Sequence, residues 1–174
     1  MAIGSRTTTD VRDHGAELQW EALYDAHADD LARFLRRVVA DPDTAADLMQ
    51  DTFVRAMRAG NRPPAAEIRP WLFRIASNLA LSHLRRPRWL DLLAARRQQQ
   101  RDPRFEDAEQ VRQAMRAIPA DHAVTLSLAY HEGFSRREIA EMLAISEETV
   151  KSRIARGRLN FAAAYRRLER GLAS

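Results

Sequence analysis

The stretch GFSRREIAEMLAISEETVKSRI, residues 133–154, decides how the chain is read. Ser135 stands three residues before Glu138. At that spacing a serine hydroxyl and a glutamate carboxylate cap each other's backbone N–H at a helix start. A short helix is therefore predicted over Arg136–Leu143, with Ile139, Ala140 and Leu143 facing inward. Ala144 and Ile145 make a turn, and Ser146 caps a second helix running from Glu147 to about Arg170. Val150 and Ile154, four residues apart, lock this helix against the first, and the small Ala140 lets the two axes approach. Two capped helices joined by so short a turn make a helix-turn-helix, whose second helix enters the major groove of duplex DNA.

Setting Val150 and Ile154 inward fixes what faces out. At about 100° per residue, the opposite face carries Glu148, Lys151, Ser152, Ala155 and Arg156. Their chemistry suits base edges: lysine and arginine for guanine, glutamate for cytosine, alanine for the thymine methyl. Arg136, Arg137, Thr149, Arg153 and Arg158 flank that face and suit phosphates, which position a protein without reading sequence. Charge is distributed accordingly. Residues 1–84 hold ten basic and twelve acidic side chains, whereas residues 111–174 hold eleven and seven. Lys151, Arg153, Arg156 and Arg158 fall within eight residues that contain no acid. A hairpin that merely packs on protein would usually interleave acids along such a face, so the cluster points to a polyanion.

The rest of the chain is read as helical too. Alanine, arginine and leucine dominate its 174 residues, and no strand pattern or internal repeat is visible. One helical pattern runs from about Ala16 to Ala40 on Leu18, Leu23, Leu31, Phe34, Leu35 and Val38. Asp41-Pro42-Asp43 breaks it and caps the next, from about Thr44 to Ala59. Gly60 to Pro64 is a loop, and a third helix is predicted from Pro70, a favourable first-turn residue, to about Arg86. Its buried face is expected to hold Trp71, Leu72, Ile75 and Leu79. Residues 88–104, charged and glutamine-rich, read as a linker, although Trp89, Leu90, Leu92 and Leu93 have the makings of a short docking helix. Beyond it, helices are predicted from Phe105 to Ile118 and from Asp121 to His131, the latter closed by Gly133. The expected fold is all-α: a tail over residues 1–15, a helical bundle over 16–87, a flexible linker over 88–104 and a helix-turn-helix domain over 105–174. Each module is small enough to bury only ~60% of its unfolded surface, so both are expected to lean on a larger partner.

Several classes of function are disfavoured. The chain has no cysteine, which removes disulfides and thiolate metal sites. Its five histidines show no metal-binding spacing and its six glycines form no phosphate-cradling loop. No catalytic constellation stands out, so neither an enzyme, a metal nor a cofactor is expected. No apolar run approaches the ~20 residues that span a bilayer, and Met1 to Asp13 is too polar for a signal peptide. The expectation is a soluble cytoplasmic protein without membrane insertion.

A helix-turn-helix alone leaves repressors, response-regulator output domains and sigma factors open. Two N-terminal segments decide between them: TAADLMQDTFVRA, residues 44–56, and RPWLFRIASNLALSHLRR, residues 69–86. Together they resemble region 2 of the extracytoplasmic-function sigma factors, group IV of the sigma-70 family. Residues from Ile118 through Arg158 resemble that family's region 4. The resemblance covers about residues 17–88 and 105–168, in the family's order and with a short spacer.

The resemblance implies a factor that binds core RNA polymerase, through the β′ clamp helices and the β subunit, and recognises the −10 and −35 promoter elements. Asp47, Gln50 and Asp51 match the positions that dock on the clamp helices, and carboxylates along one helix suit a basic partner helix. Members often carry acids where this chain has Thr44 and Ala46, which implies a less charged interface. The loop from Gly60 to Ile68 would form the pocket for a base of the melted −10 strand, with Asn61 and Arg62 in it and Asn78 beside the non-template strand. Arg74, Arg85, Arg86 and Arg88 would line the phosphate path. Trp71 and Phe73 offer themselves as stacking platforms, with the core the expected place for Trp71. The linker would thread toward the active-site channel. An anti-sigma factor is a further partner that the resemblance implies.

Overall fold

The computed structural model describes the backbone of residues 8–39, 41–85 and 106–172, and side chains over 19–39, 41–85 and 110–171. The linker 88–104 with its Trp89–Leu93 segment, and Arg86 and Arg88, lie outside the described residues, as do residues 1–7. Among those described, seven helices occur: α1 (Thr8–Val39), α2 (Pro42–Arg58), α3 (Ala65–Leu84), α4 (Glu106–Arg116), α5 (Ala120–Tyr130), α6 (Arg136–Leu143) and α7 (Glu147–Leu172).

Local chemistry explains most boundaries. Asp41 is extended, and its carboxylate accepts the Thr44 N–H at 2.7 Å, with Pro42 opening the helix behind it. That bond holds the Asp41 carboxyl below its usual pKa. Two starts differ from the pattern. α1 begins at Thr8, so residues 8–15 are helical and not a tail. A helix already nucleated adds one hydrogen bond per residue and needs no apolar stripe to extend. α3 begins at Ala65, five residues before Pro70. Pro64 launches it from an extended conformation, and Ala65, Ala66 and Glu67 are good helix formers. Pro70 lies inside the helix, where its missing N–H forfeits one bond near the start.

α3 is the central element. Leu72, Phe73, Ala76, Ser77 and Ala80 are all fully buried, so apolar residues surround it on more than one side. Against it pack α1, through Leu31, Phe34, Leu35 and Val38, and α2, through Ala45, Leu48, Phe53 and Ala56. The same core continues into the C-terminal helices through Val124, Leu128, Phe134, Ile139, Ala140, Met142 and Val150. A smaller cluster of Ala114, Met115, Ile118, Ala123, Leu126 and Ala164 holds α4, α5 and α7 together. The two modules thus share one core. Phe73 of the first and Phe134 of the second meet edge-to-face at the seam.

This packing corrects the place of Phe73. It is fully buried, with its ring edge-to-face between Phe34 at 5.3 Å and Phe134 at 5.2 Å, and is no stacking platform for a base. Trp71 is half-buried and packs against the core, as its spacing suggests.

Candidate nucleic-acid interface

The helix-turn-helix forms as its caps dictate. The Glu138 N–H donates to the Ser135 hydroxyl at 3.3 Å, while Glu138 Oε2 accepts the Ser135 N–H at 2.8 Å and its hydroxyl at 2.6 Å. These bonds hold the Glu138 carboxyl below its usual pKa. α6 ends at Ala144, whose φ of +52° is left-handed and whose N–H reaches the Ala140 carbonyl. A non-glycine residue there is strained by about 1–2 kcal/mol, held in place by the helices on either side. Ser146 then caps α7, accepting the Thr149 N–H at 3.1 Å.

Val150, Ile154, Gly157, Phe161, Ala164 and Leu168 form the inner stripe of α7, spaced alternately by three and four. Of the α6 residues expected inside, Ile139 and Ala140 are buried, whereas Leu143 is half-buried and the adjacent Met142 takes the deeper place. Gly157 was not singled out by pattern, although a lone glycine inside a long helix is a recognisable signal. A Cβ at Gly157 would lie 3.1 Å from Leu126 Cδ1 and 3.3 Å from His122 Cβ. The glycine therefore brings α7 close onto α5 and sets the angle at which α7 presents its outer face.

That outer face carries Glu148, Lys151, Ala155 and Arg156, all exposed, with Ser152 half-buried at its edge. Lys151 Nζ lies 3.5 Å from the Glu148 carboxylate. Of the flanking residues, Arg136, Arg137 and Arg158 are exposed, and Arg137 is loosely paired with Glu141 at 3.8 Å. Thr149 is half-buried, its hydroxyl 2.8 Å from that of Ser146. Arg153 is largely covered and braces α7 to α5 through Asp121 at 3.2 Å. Asn160 adds a contact to His122 Nδ1 at 3.3 Å on the same pair of helices. An open groove of about 400 Å³ runs beside the α7 N-terminus, lined by Asp121, His122, Ser146, Thr149, Arg153 and Arg156 among others. Glu148 lines it as well. Arg156 and the positive end of the helix favour a phosphate there, with Asp121 offset by Arg153 and Glu148 by Lys151.

On the N-terminal module, Asp47, Gln50 and Asp51 are exposed along one side of α2, while Phe53 turns inward and meets Tyr24 at 4.8 Å. Arg74 and Asn78 lie one turn apart on the exposed side of α3, and Arg85 is exposed at its end. Asn61 and Arg62 are exposed in the loop before α3, which turns at Gly60 with φ of +63°. Arg62 reaches back to α1, 3.4 Å from Gln19 Oε1 and 5.9 Å from the centre of the Trp20 ring. Trp20 is thus a neighbour of the loop that no sequence motif marks. Two sets of side chains result: an outer face on α7 of the right chemistry for duplex edges, and a polar face on α3 with its preceding loop.

Comparison with known proteins gives the following. The Sigma-70 region 2 family profile matches residues 23–90, and the profile for Sigma-70, region 4 matches residues 108–160. The chain is 32% identical over 143 residues to the ECF RNA polymerase sigma factor SigL of Mycobacterium tuberculosis, covering 76% of this chain and 81% of SigL. It is 31% identical over 153 residues to the RNA polymerase sigma factor CarQ of Myxococcus xanthus, covering 82% and 87%. Among solved structures, the sigma factor RpoE of Bartonella quintana, in complex with the anti-sigma factor NepR, has a TM-score of 0.68 at 22% identity. That alignment covers 85% of this chain and 97% of RpoE.

Proposed function

Because the chain belongs to the extracytoplasmic-function RNA polymerase sigma factors, we propose that it binds core RNA polymerase and directs it to promoters through two readers, one on each module. The observation that carries this is the outer face of α7, held out by the inner stripe from Val150 to Leu168 on a doubly capped helix-turn-helix. Lys151 and Arg156 reach base edges of the −35 duplex, with Glu148, Ser152 and Ala155 around them. Arg136, Arg137, Thr149 and Arg158 hold phosphates, and Arg153 contributes chiefly by fixing α7 on α5.

The first module, residues 16–87, captures the melted −10 strand. Asn61 and Arg62 line the pocket mouth, Asn78 faces the non-template strand, and Arg74, Arg85, Arg86 and Arg88 follow its phosphates. Asp47, Gln50 and Asp51 present acceptors to basic side chains of the β′ clamp helices, and the module over residues 105–174 faces the β subunit. The linker 88–104 passes between them through the polymerase. Melting is driven by binding energy, so the protein works without catalytic chemistry of its own. It acts in the cytoplasm; among the described residues no helix is long and apolar enough to cross a membrane. An anti-sigma factor is the expected regulator, in keeping with the partner in the RpoE structure.

The test compares binding with and without polymerase. The chain is expected to bind core polymerase one to one and to select two-element sites only in that complex. Lys151→Ala should lower selection at one or two −35 positions, whereas Arg136→Ala should weaken binding evenly across sequences. Selection of a palindrome by a dimer of the protein alone would replace this reading with that of a repressor.

A further inference from the structure

We propose that Trp20, with the Arg62 guanidinium over its ring, is a stacking subsite on α1 for an unpaired base of the melted strand, next to the base held by the loop before α3. The proposal deepens the −10 reading above and rests on it.

Local geometry holds Arg62 in place. α2 ends at Arg58 and α3 begins at Ala65, so the loop between them is short. It turns at Gly60, with φ of +63°, and is stiffened by Pro63 and Pro64. Arg62 stands directly before Pro63, which confines its backbone to extended conformations. Its side chain reaches back to α1, with the guanidinium 5.9 Å from the centre of the Trp20 ring and 3.4 Å from Gln19 Oε1. Arg62 is exposed, so the side of the guanidinium away from the indole stays open to solvent.

Trp20 is not closed off as a core residue. It is half-buried, whereas Leu23, Leu31 and Phe34 of the same helix are buried. Tyr24, one turn further on the same side of α1, is 42% exposed and meets the Phe53 ring at 4.8 Å. Two aromatic rings one turn apart, ending on an arginine, are the means by which proteins stack single strands without reading base edges. Charge decides what enters. Glu21 and Asp25 are exposed on the adjoining side of α1 and repel phosphate. A base is uncharged and offers a π-face to indole and guanidinium alike. The phosphates are left to the exposed Arg74 and Arg85.

The probe is a fork fragment of a promoter that the complex with core RNA polymerase selects from a randomised pool. Its −35 element is duplex, its −10 element is single-stranded, and an abasic site is placed at one −10 position at a time. With the original chain, binding should fall at the loop's position and, by about fivefold or more, at one neighbouring position. Trp20→Ala should weaken binding of the intact fork by a similar factor. It should have no further effect on the fork that lacks the neighbouring base. Trp20→Phe keeps a ring and should restore most of the loss. Trp20→Leu keeps apolar bulk against the core and should not, and it serves in place of the alanine variant should that fail to fold.

A loss that disappears only on the fork lacking the loop's own base would make Trp20 a prop for the loop and overturn the subsite. Equal losses on every fork, or no loss at all, would overturn it too. Weaker assembly of the Trp20→Leu chain with core polymerase in the absence of DNA would assign this face to protein instead. If the original chain and core polymerase select no promoter, the −10 reading fails and the subsite falls with it. A selected promoter whose abasic profile the Trp20 variants leave unchanged sinks the subsite alone.

Discussion

Replacing Phe73 by alanine is the perturbation whose size the structure fixes best. The side chain is fully buried at the centre of α3 and touches both modules. Phenylalanine to alanine in a core costs about 3–5 kcal/mol, through lost transfer energy and the cavity left behind. Two edge-to-face ring contacts go with it, each contributing about 0.5–1.5 kcal/mol. The Arg69 guanidinium, 4.9 Å from the ring, also loses part of its seat. The expected loss therefore lies in the upper half of the range, about 4–5 kcal/mol. For a chain of this size that is roughly 8–20 °C in Tm. Phe73→Leu keeps most of the volume and forfeits chiefly the ring contacts, so it should cost about 1–2 kcal/mol. Urea unfolding followed by circular dichroism measures both. A loss below about 1.5 kcal/mol for Phe73→Ala, or equal losses for the two variants, would show that Phe73 is not the joint between the modules.

Three further outcomes follow from the geometry. Asp121→Ala and Arg153→Ala should each destabilise the chain by about 0.5–2 kcal/mol and show a coupling of similar size in a double-mutant cycle; additive effects would mean that Arg153 does not brace α7 through Asp121. Ala144→Gly relieves a left-handed φ at the turn and loosens the unfolded chain, so it should stabilise by a few tenths to about 1 kcal/mol; thermal unfolding decides, and a loss of stability would mean the turn carries no strain. The carboxyls of Asp41 and Glu138 are depressed in the folded chain by their capping bonds. Their stabilisation is therefore fully present above the ordinary carboxylate pKa, about 4, and is lost as pH falls below it through the depressed folded-state values. Glu138→Gln, which keeps the cap without a titrating group, should flatten that fall; an unchanged pH profile of stability would contradict it.

What was legible in the sequence is what short-range chemistry fixes. Ser135, Glu138, Ser146 and the 150/154 pair act within a few residues, and the helix-turn-helix follows from them. Asp41 and Pro42 mark the α2 start for the same reason. α3 was harder to read, because its buried arc is wide: Arg74, Asn78 and Arg85 mark one exposed side, and apolar residues cover most of the rest. Leu72 and its neighbour Phe73 are both fully buried, whereas the expected inner face held Leu72 and not Phe73. Contacts across the chain left no local trace: Glu132 is 95 residues from Arg37 and 63 from Arg69, and each reads alone as an ordinary charged residue. Arg153 shows the same limit from the other side. In sequence it belongs to the basic run of α7, while in the fold Asp121 claims it.

The central claim, that the chain gives core polymerase a choice of promoter, is tested most directly by run-off transcription. Core RNA polymerase is supplied with a pool of randomised promoter fragments, with and without the protein, and the transcripts are sequenced. Start sites that appear only with the protein, and that share two elements at a fixed spacing, are the predicted result. No added start sites, with a palindrome selected from the same pool by the protein alone, would contradict it.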